Sequence, residues 1–186
     1  MNGSYAMVFG MVDSSPRVFE EQFQKTMVSI SGCAGGSFGR DALAVFSDDA
    51  LIKRSRGLHE GDIVMVVGTP GCVDGCAAVY ATEFVLVSKN KFGVSAQMRA
   101  PALSEFSKIE NTVRMTGTVA CCENGSLGLA ADAPEIIRGR APSSVALNVR
   151  LEAPCGAAPG DRVRFYGGIE KGRYLGVAHG EQGGRN

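Results

Sequence analysis

Apolar residues along this chain fall in short runs rather than in long helical stripes. Five runs occupy residues 6–12, 23–31, 41–46, 62–68 and 78–87, and five more occupy 112–119, 126–131, 144–151, 161–167 and 173–178. Most are rich in Val, Ile, Phe, Tyr and Thr and end at Gly, Pro, Asn or Asp, which is the pattern of strands between turns. The period of two is clearest near the C-terminus, where Val163 and Phe165 share one face and Arg162, Arg164 and Tyr166 share the other. A helix is expected between the third and fourth runs, at 47–57. Ser47 or Asp48 caps it, acids fill the first turn, Lys53, Arg54 and Arg56 the last, and Gly57 stops it.

The two series of runs share a device. Gly61-Asp62-Ile63-Val64-Met65-Val66-Val67-Gly68 returns as Gly160-Asp161-Arg162-Val163-Arg164-Phe165-Tyr166-Gly167. Gly accepts a positive φ and Asp bonds its own backbone, so Gly-Asp makes a tight turn into a strand. Gly10 and Gly117 each sit inside a first strand, where an interior Gly marks a bend that lets the strand curl and close a barrel. The expected fold is all-β, with two tandem five-stranded barrels at 1–90 and 109–180, a linker at 91–108 and a disordered tail at 181–186. Residues 33–39 read as a Gly-rich loop and 13–17 as a turn. In the second half, Pro154 and Pro159 exclude a counterpart of the helix.

Composition adds little to the fold and more to the chemistry. With 45% hydrophobic and 20% charged residues among 186, the chain is a folded one, and its 25 Gly suit turns. There is no apolar run long enough to span a bilayer and no secretory pattern at the N-terminus, so an intracellular protein with no membrane association is expected. The six cysteines then read as reduced thiols. Cys72 and Cys76 could offer two metal ligands across a turn, but no second pair has matching spacing, so no metal is expected. Residues 1–90 hold seven Lys or Arg against ten Asp or Glu, and residues 91–186 hold twelve against nine. The basic half is mostly Arg, whose planar fork suits phosphate and whose flat face suits bases.

The order of these elements, with Val8-Phe9-Gly10-Met11-Val12 before Pro16-Arg17, Glu60-Gly61-Asp62 before the fourth strand, and Ala81-Thr82-Glu83-Phe84-Val85-Leu86-Val87 in the fifth, resembles the OB-fold. The first half is similar to the single-stranded DNA-binding protein family of bacteria and mitochondria. Kinetoplastid RNA-editing subunits with OB-folds are similar in a looser way. The chain departs from the bacterial pattern in having no Trp and no acidic, Phe-terminated tail.

An OB barrel takes single strands on its second and third strands and the flanking loops, by stacking on aromatics and by cations along the backbone. The candidate residues in the second half are Arg162, Arg164 and Tyr166 on the fourth strand, and Lys171, Arg173 and Tyr174 in the next hairpin. Arg138 and Arg140 in a basic loop, Arg114 and Arg150 complete that set. In the first half they are Arg17, Phe38 and Arg40, with Phe19 and Phe23 nearby. No phosphate-binding loop, nucleophile elbow or His–carboxylate cluster is present, so no enzyme and no cofactor is expected. The expectation is a non-catalytic binder of single-stranded DNA or RNA in replication, repair or RNA processing, which self-associates or joins other OB-fold subunits. The alternative is an OB-fold scaffold subunit that makes protein contacts only.

Overall fold

A computed structural model describes residues 4–19, 24–34, 37–106, 111–132 and 145–181, and of residues 19, 33, 34, 37–40 and 145 the backbone alone. The strands are β1 (Tyr5–Val12), β2 (Arg17–Phe19), β3 (Lys25–Ala34), β4 (Ser37–Phe46), β5 (Ile63–Val73), β6 (Cys76–Ser88), β7 (Thr112–Glu123), β8 (Ser126–Ala131), β9 (Val145–Leu151), β10 (Arg162–Glu170) and β11 (Arg173–Gly180). Two short helices, α1 (Asp49–Ser55) and α2 (Ala96–Arg99), and a 3-10 helix (Ala100–Phe106) complete the described elements.

The ladders close on themselves. β1 pairs with β5, β5 with β6, β6 with β4, β4 with β3, and β3 returns to β1, which makes a closed five-stranded barrel. Only the β4–β6 ladder in it is parallel. The later strands make a second ring of pairings, β7–β8–β9–β11–β10 and back to β7, again with one parallel ladder, β9–β11. The rings are not separate beads. β1 also pairs with β7, with Tyr5 opposite Arg114 and Met7 opposite Thr112, so one sheet runs through both.

The Gly-Asp device is built alike in both rings. Gly61 has φ 84° and Gly160 φ 94°, values that a side chain would strain. Gly61 N–H donates to the Val12 carbonyl at 2.7 Å, and Gly160 N–H donates to the Val119 carbonyl at 2.8 Å. Each Asp then closes its own turn, Asp62 accepting from His59 N–H at 2.9 Å and Asp161 from Ala158 N–H at 2.8 Å. These bonds tie the start of the fourth strand of each ring to the end of the first. A Cβ on Gly10 would lie 2.6 Å from the Ser31 carbonyl oxygen, so only Gly lets β3 cross β1 there.

Inside the rings the alternation of the strands is filled by apolar side chains. Val8, Val12, Ile30, Phe46 and Val66 are buried in the first, and Met115, Leu127, Leu129, Val163 and Phe165 in the second, as parts of one continuous core. α1 packs Leu51 and Ile52 against that core, and the Asp48 carboxylate caps it by accepting from the N–H groups of Ala50 and Leu51. At its other end Arg54 donates to the Phe84 carbonyl at 3.0 Å and lies 4.6 Å from the Phe84 ring centre.

Several elements differ from the sequence expectation, each for a reason of pairing. Residues 33–34 and 37–39 continue β3 and β4, because each strand supplies the other's backbone bonds, with Cys33 opposite Phe38 and Ala34 opposite Ser37. β5 runs on through Pro70 to Val73; beyond Gly68 its described partner is β6 alone, and an edge position tolerates a missing N–H. Arg17–Phe19 forms β2, an added strand against β3. Residues 96–106 are no free connection: Ala96 and Leu103 are buried against Phe9, Met11 and Ile63, and Phe106 packs its ring 5.4 Å from that of Phe9.

Candidate nucleic-acid interface

The first candidate surface is the outer face of β10 and β7. Their register sets Arg162 opposite Thr118, Arg164 opposite Thr116 and Tyr166 opposite Arg114, all on the side away from the buried Val163 and Phe165. The arginines point outward but are already engaged. Arg162 donates twice to the Asp132 carboxylate, at 2.7 and 3.1 Å, and once to Glu181 at 3.4 Å. Arg164 donates to Glu181 at 2.8 Å. Hydrogen bonding from Arg164, and then from Arg162, holds the Glu181 carboxyl below its ordinary range. The four groups sum to no net charge. The strand-four arginines are therefore exposed but paired, and a phosphate would have to displace Asp132 or Glu181 from them. Tyr166 keeps 38% of its surface exposed, with the Arg114 guanidinium 5.6 Å from its ring centre and the His179 ring at 6.4 Å.

The second surface lies where the rings meet. A groove of about 430 Å³ is lined by Cys72, Gly75 and Ala77 of the β5–β6 hairpin and by Ser126, Asn148, Arg150 and Arg173 of the second ring. An adjoining hollow of about 360 Å³ shares Arg150 and Arg173 and adds Glu170, Lys171 and Leu175. β9 pairs with β8 and β11 so that Asn148 and Arg150 face outward while Leu147 and Val149 are buried. Both Arg150 and Arg173 are exposed, and neither side chain forms an ion pair or hydrogen bond with another described residue. Lys171, at the tip of the β10–β11 turn with φ 49°, reaches Glu170 at 3.9 Å.

Tyr174 is placed by this junction and is corrected as a stacking residue. It is 2% exposed, and its hydroxyl donates to the carbonyl oxygens of Gly71, at 2.6 Å, or Ala78, at 2.8 Å, and accepts from Gly71 N–H at 2.9 Å. Burial raises its phenol well above the ordinary value, so it stays protonated as a clasp between the rings. Asp41 is the second clasp. Its carboxylate accepts from Lys171 N–H at 3.1 Å and its carbonyl from Gly172 N–H at 2.9 Å, while Ala77 N–H donates to the Gly172 carbonyl at 2.8 Å. Burial first, and the charge of Glu170 in addition, raise the Asp41 carboxyl despite the opposing bond from Lys171.

Of the remaining candidates, Arg17 is exposed on β2, opposite Met27. Arg114 is half-buried on β7. Phe38 and Arg40 lie on β4, with their side chains outside the described residues, as are the side chain of Phe19 and all of Phe23, Arg138 and Arg140. Sequence reasoning missed Ser126 and Asn148. The signal was present in Asn148-Val149-Arg150, a polar pair flanking a buried Val. Among the described residues no group of three or more His, Cys, Asp or Glu converges, and no helix is long and apolar enough to cross a membrane.

The closed five-stranded barrel, with its parallel β4–β6 ladder and its strand-entry turns, is an OB-fold barrel. The single-stranded DNA-binding protein from Thermus aquaticus superposes with a TM-score of 0.59 at 12% identity, covering 98% of this chain and 95% of that one. A deletion variant of the same protein gives 0.57 at 13% identity, covering 96% and 92%. No protein-family model matches the chain, and no curated protein matches it in sequence.

Proposed function

We propose that the chain is a non-catalytic single-stranded nucleic-acid-binding protein, with single-stranded DNA as the first ligand to test, built as two OB barrels in tandem. The observation that carries this reading is the junction groove, where Arg150 and Arg173 stand without acidic partners among the described residues, beside Asn148 and Ser126. Two guanidinium groups can hold successive phosphates while the amide and hydroxyl meet sugar or base edges. The likeness to a single-stranded DNA-binding protein over nearly the whole chain supports it through the fold.

A titration of labelled oligo-dT and oligo-U by fluorescence anisotropy, at low and moderate salt, tests it. Arg150→Ala with Arg173→Ala is expected to weaken binding at least tenfold and to reduce the salt slope by about 2. Binding by the double variant equal to that of the wild type would remove the groove from the interface. The scaffold reading draws on the self-neutralised β10 face, and it becomes the better one when no strand binds at low salt.

A further inference from the structure

Residues 89–95, which follow β6, form a loop fixed from beneath. Asn90 is 9% exposed: its backbone N–H donates to Asp62 at 2.7 Å, and its side-chain amide donates to the carbonyls of Glu60 at 2.8 Å and Val94 at 2.7 Å. Ala96 N–H donates to the Glu60 carboxylate at 2.9 Å, and Arg99 donates to the Gly61 carbonyl at 2.6 Å and to the Ser88 hydroxyl at 2.8 Å. A bond from Lys91 N–H to the Lys89 carbonyl at 3.1 Å closes the turn, and Gly93, with φ 63°, reverses the chain.

At the tip of this pedestal Phe92 is 91% exposed, the most exposed of the large apolar side chains described. Lys89 and Lys91 beside it are exposed and form no ion pair with a described residue. A Phe side chain left in water forgoes the stabilisation that burial would supply. A ring held out on a fixed loop loses little further freedom when it meets a flat partner. Two ammonium groups at its flanks favour a partner that carries an anion on each side of a flat apolar group, as a nucleotide chain does.

We propose that Phe92 is a base-stacking post for single-stranded nucleic acid, with Lys89 and Lys91 holding the adjacent phosphates. The inference rests on the reading of the chain as a strand binder and adds to it a contact far from the junction. The groove lies at the start of β6 and the loop beyond its end, and 13 residues of strand extend about 43 Å. The bound strand then follows an extended path over the first barrel.

The chain has no Trp, so Phe92→Trp supplies a single indole reporter in the native protein. Oligo-dT is expected to quench its emission, and Phe92→Ala to weaken oligo-dT binding by about 5- to 150-fold in anisotropy. Lys89→Ala with Lys91→Ala is expected to lower the salt slope by about 2. Wild-type binding with unchanged affinity in Phe92→Ala and a silent indole overturns the proposal and leaves the groove intact. An indole that responds to protein concentration, and not to oligo-dT, overturns it in favour of contact between copies. If the wild type binds no strand at all, the underlying reading falls with it, and the wild-type titration alone shows this.

Discussion

The outer face of β1 and β5 and that of β7 and β10 hold the same place in their rings, yet opposite kinds of side chain fill them. In the first, Phe9 lies opposite Met65 and Met11 opposite Ile63; in the second, Thr116 lies opposite Arg164 and Thr118 opposite Arg162. The apolar face is roofed by the chain's own residues 96–106. The polar face keeps Arg162 and Arg164 exposed and satisfies their charges with Asp132 and Glu181. The ladders are set by backbone and interior, so the exterior positions are free to choose between a covered surface and a wet one. A basic stripe in sequence is likewise not a basic surface when the fold returns acids to it.

The largest effect expected from breaking this contrast is in stability. Phe9→Ala should cost about 3–5 kcal/mol in urea unfolding, because the ring is 7% exposed and packs on Phe106. Arg164→Ala, on the face that needs no roof, should lower the urea midpoint far less, since it removes only an exposed ion pair. Equal losses in the two variants would show that residues 96–106 do not cover the first face in solution.

Affinity gives a smaller test. Glu181→Gln releases Arg164 and one contact of Arg162, so strand binding measured by anisotropy at low salt should tighten a few-fold if the open face takes phosphates once freed. An unchanged constant would confine binding to the groove and its surroundings.

The finest test uses pH, because the two acids shift in opposite directions. Asp41 has a raised carboxyl pKa in the folded protein, so the native state keeps a proton that the unfolded chain has released. Stability from this group falls as pH rises from about 4 to the folded value. Glu181 is lowered, so its contribution is present above the ordinary carboxylate value and fades as pH drops through the folded one. Asp41→Asn should flatten the first trend and Glu181→Gln the second, in urea midpoints taken across the acid range. The Glu181 trend should also vanish in high salt, since that pair is exposed.

What the sequence made legible was local. The Gly-Asp turns, the bend at Gly10 and the inward Val163 and Phe165 each follow from a few adjacent residues. What it hid was the identity of distant partners. Nothing near Arg162 announces Asp132, thirty residues away, or Glu181 on the far end of β11. Tyr174 reads as a surface aromatic beside two cations until the β5–β6 hairpin closes over its hydroxyl. Residues 91–108 lack strand alternation and so resemble a spacer, although their spaced Ala96, Leu103 and Phe106 only gain meaning against the outer side of β1. The candidate site was legible as a set of arginines, and which of the described ones are left unpaired could be chosen only after folding.

The ladder between β1 and β7 has a consequence for the birth of the protein. Its strands are separated by more than a hundred residues, with Tyr5 opposite Arg114. During synthesis at 5–20 residues per second, the edge at Tyr5–Met7 waits about 5 to 20 s for its partner to emerge. For that interval the nascent chain displays an unsaturated strand that any passing strand can template. A ribosome-bound first half, stalled before residue 112, is therefore the species in which misassembly should concentrate, and its capture by a chaperone would be a measure of how long the edge stays open.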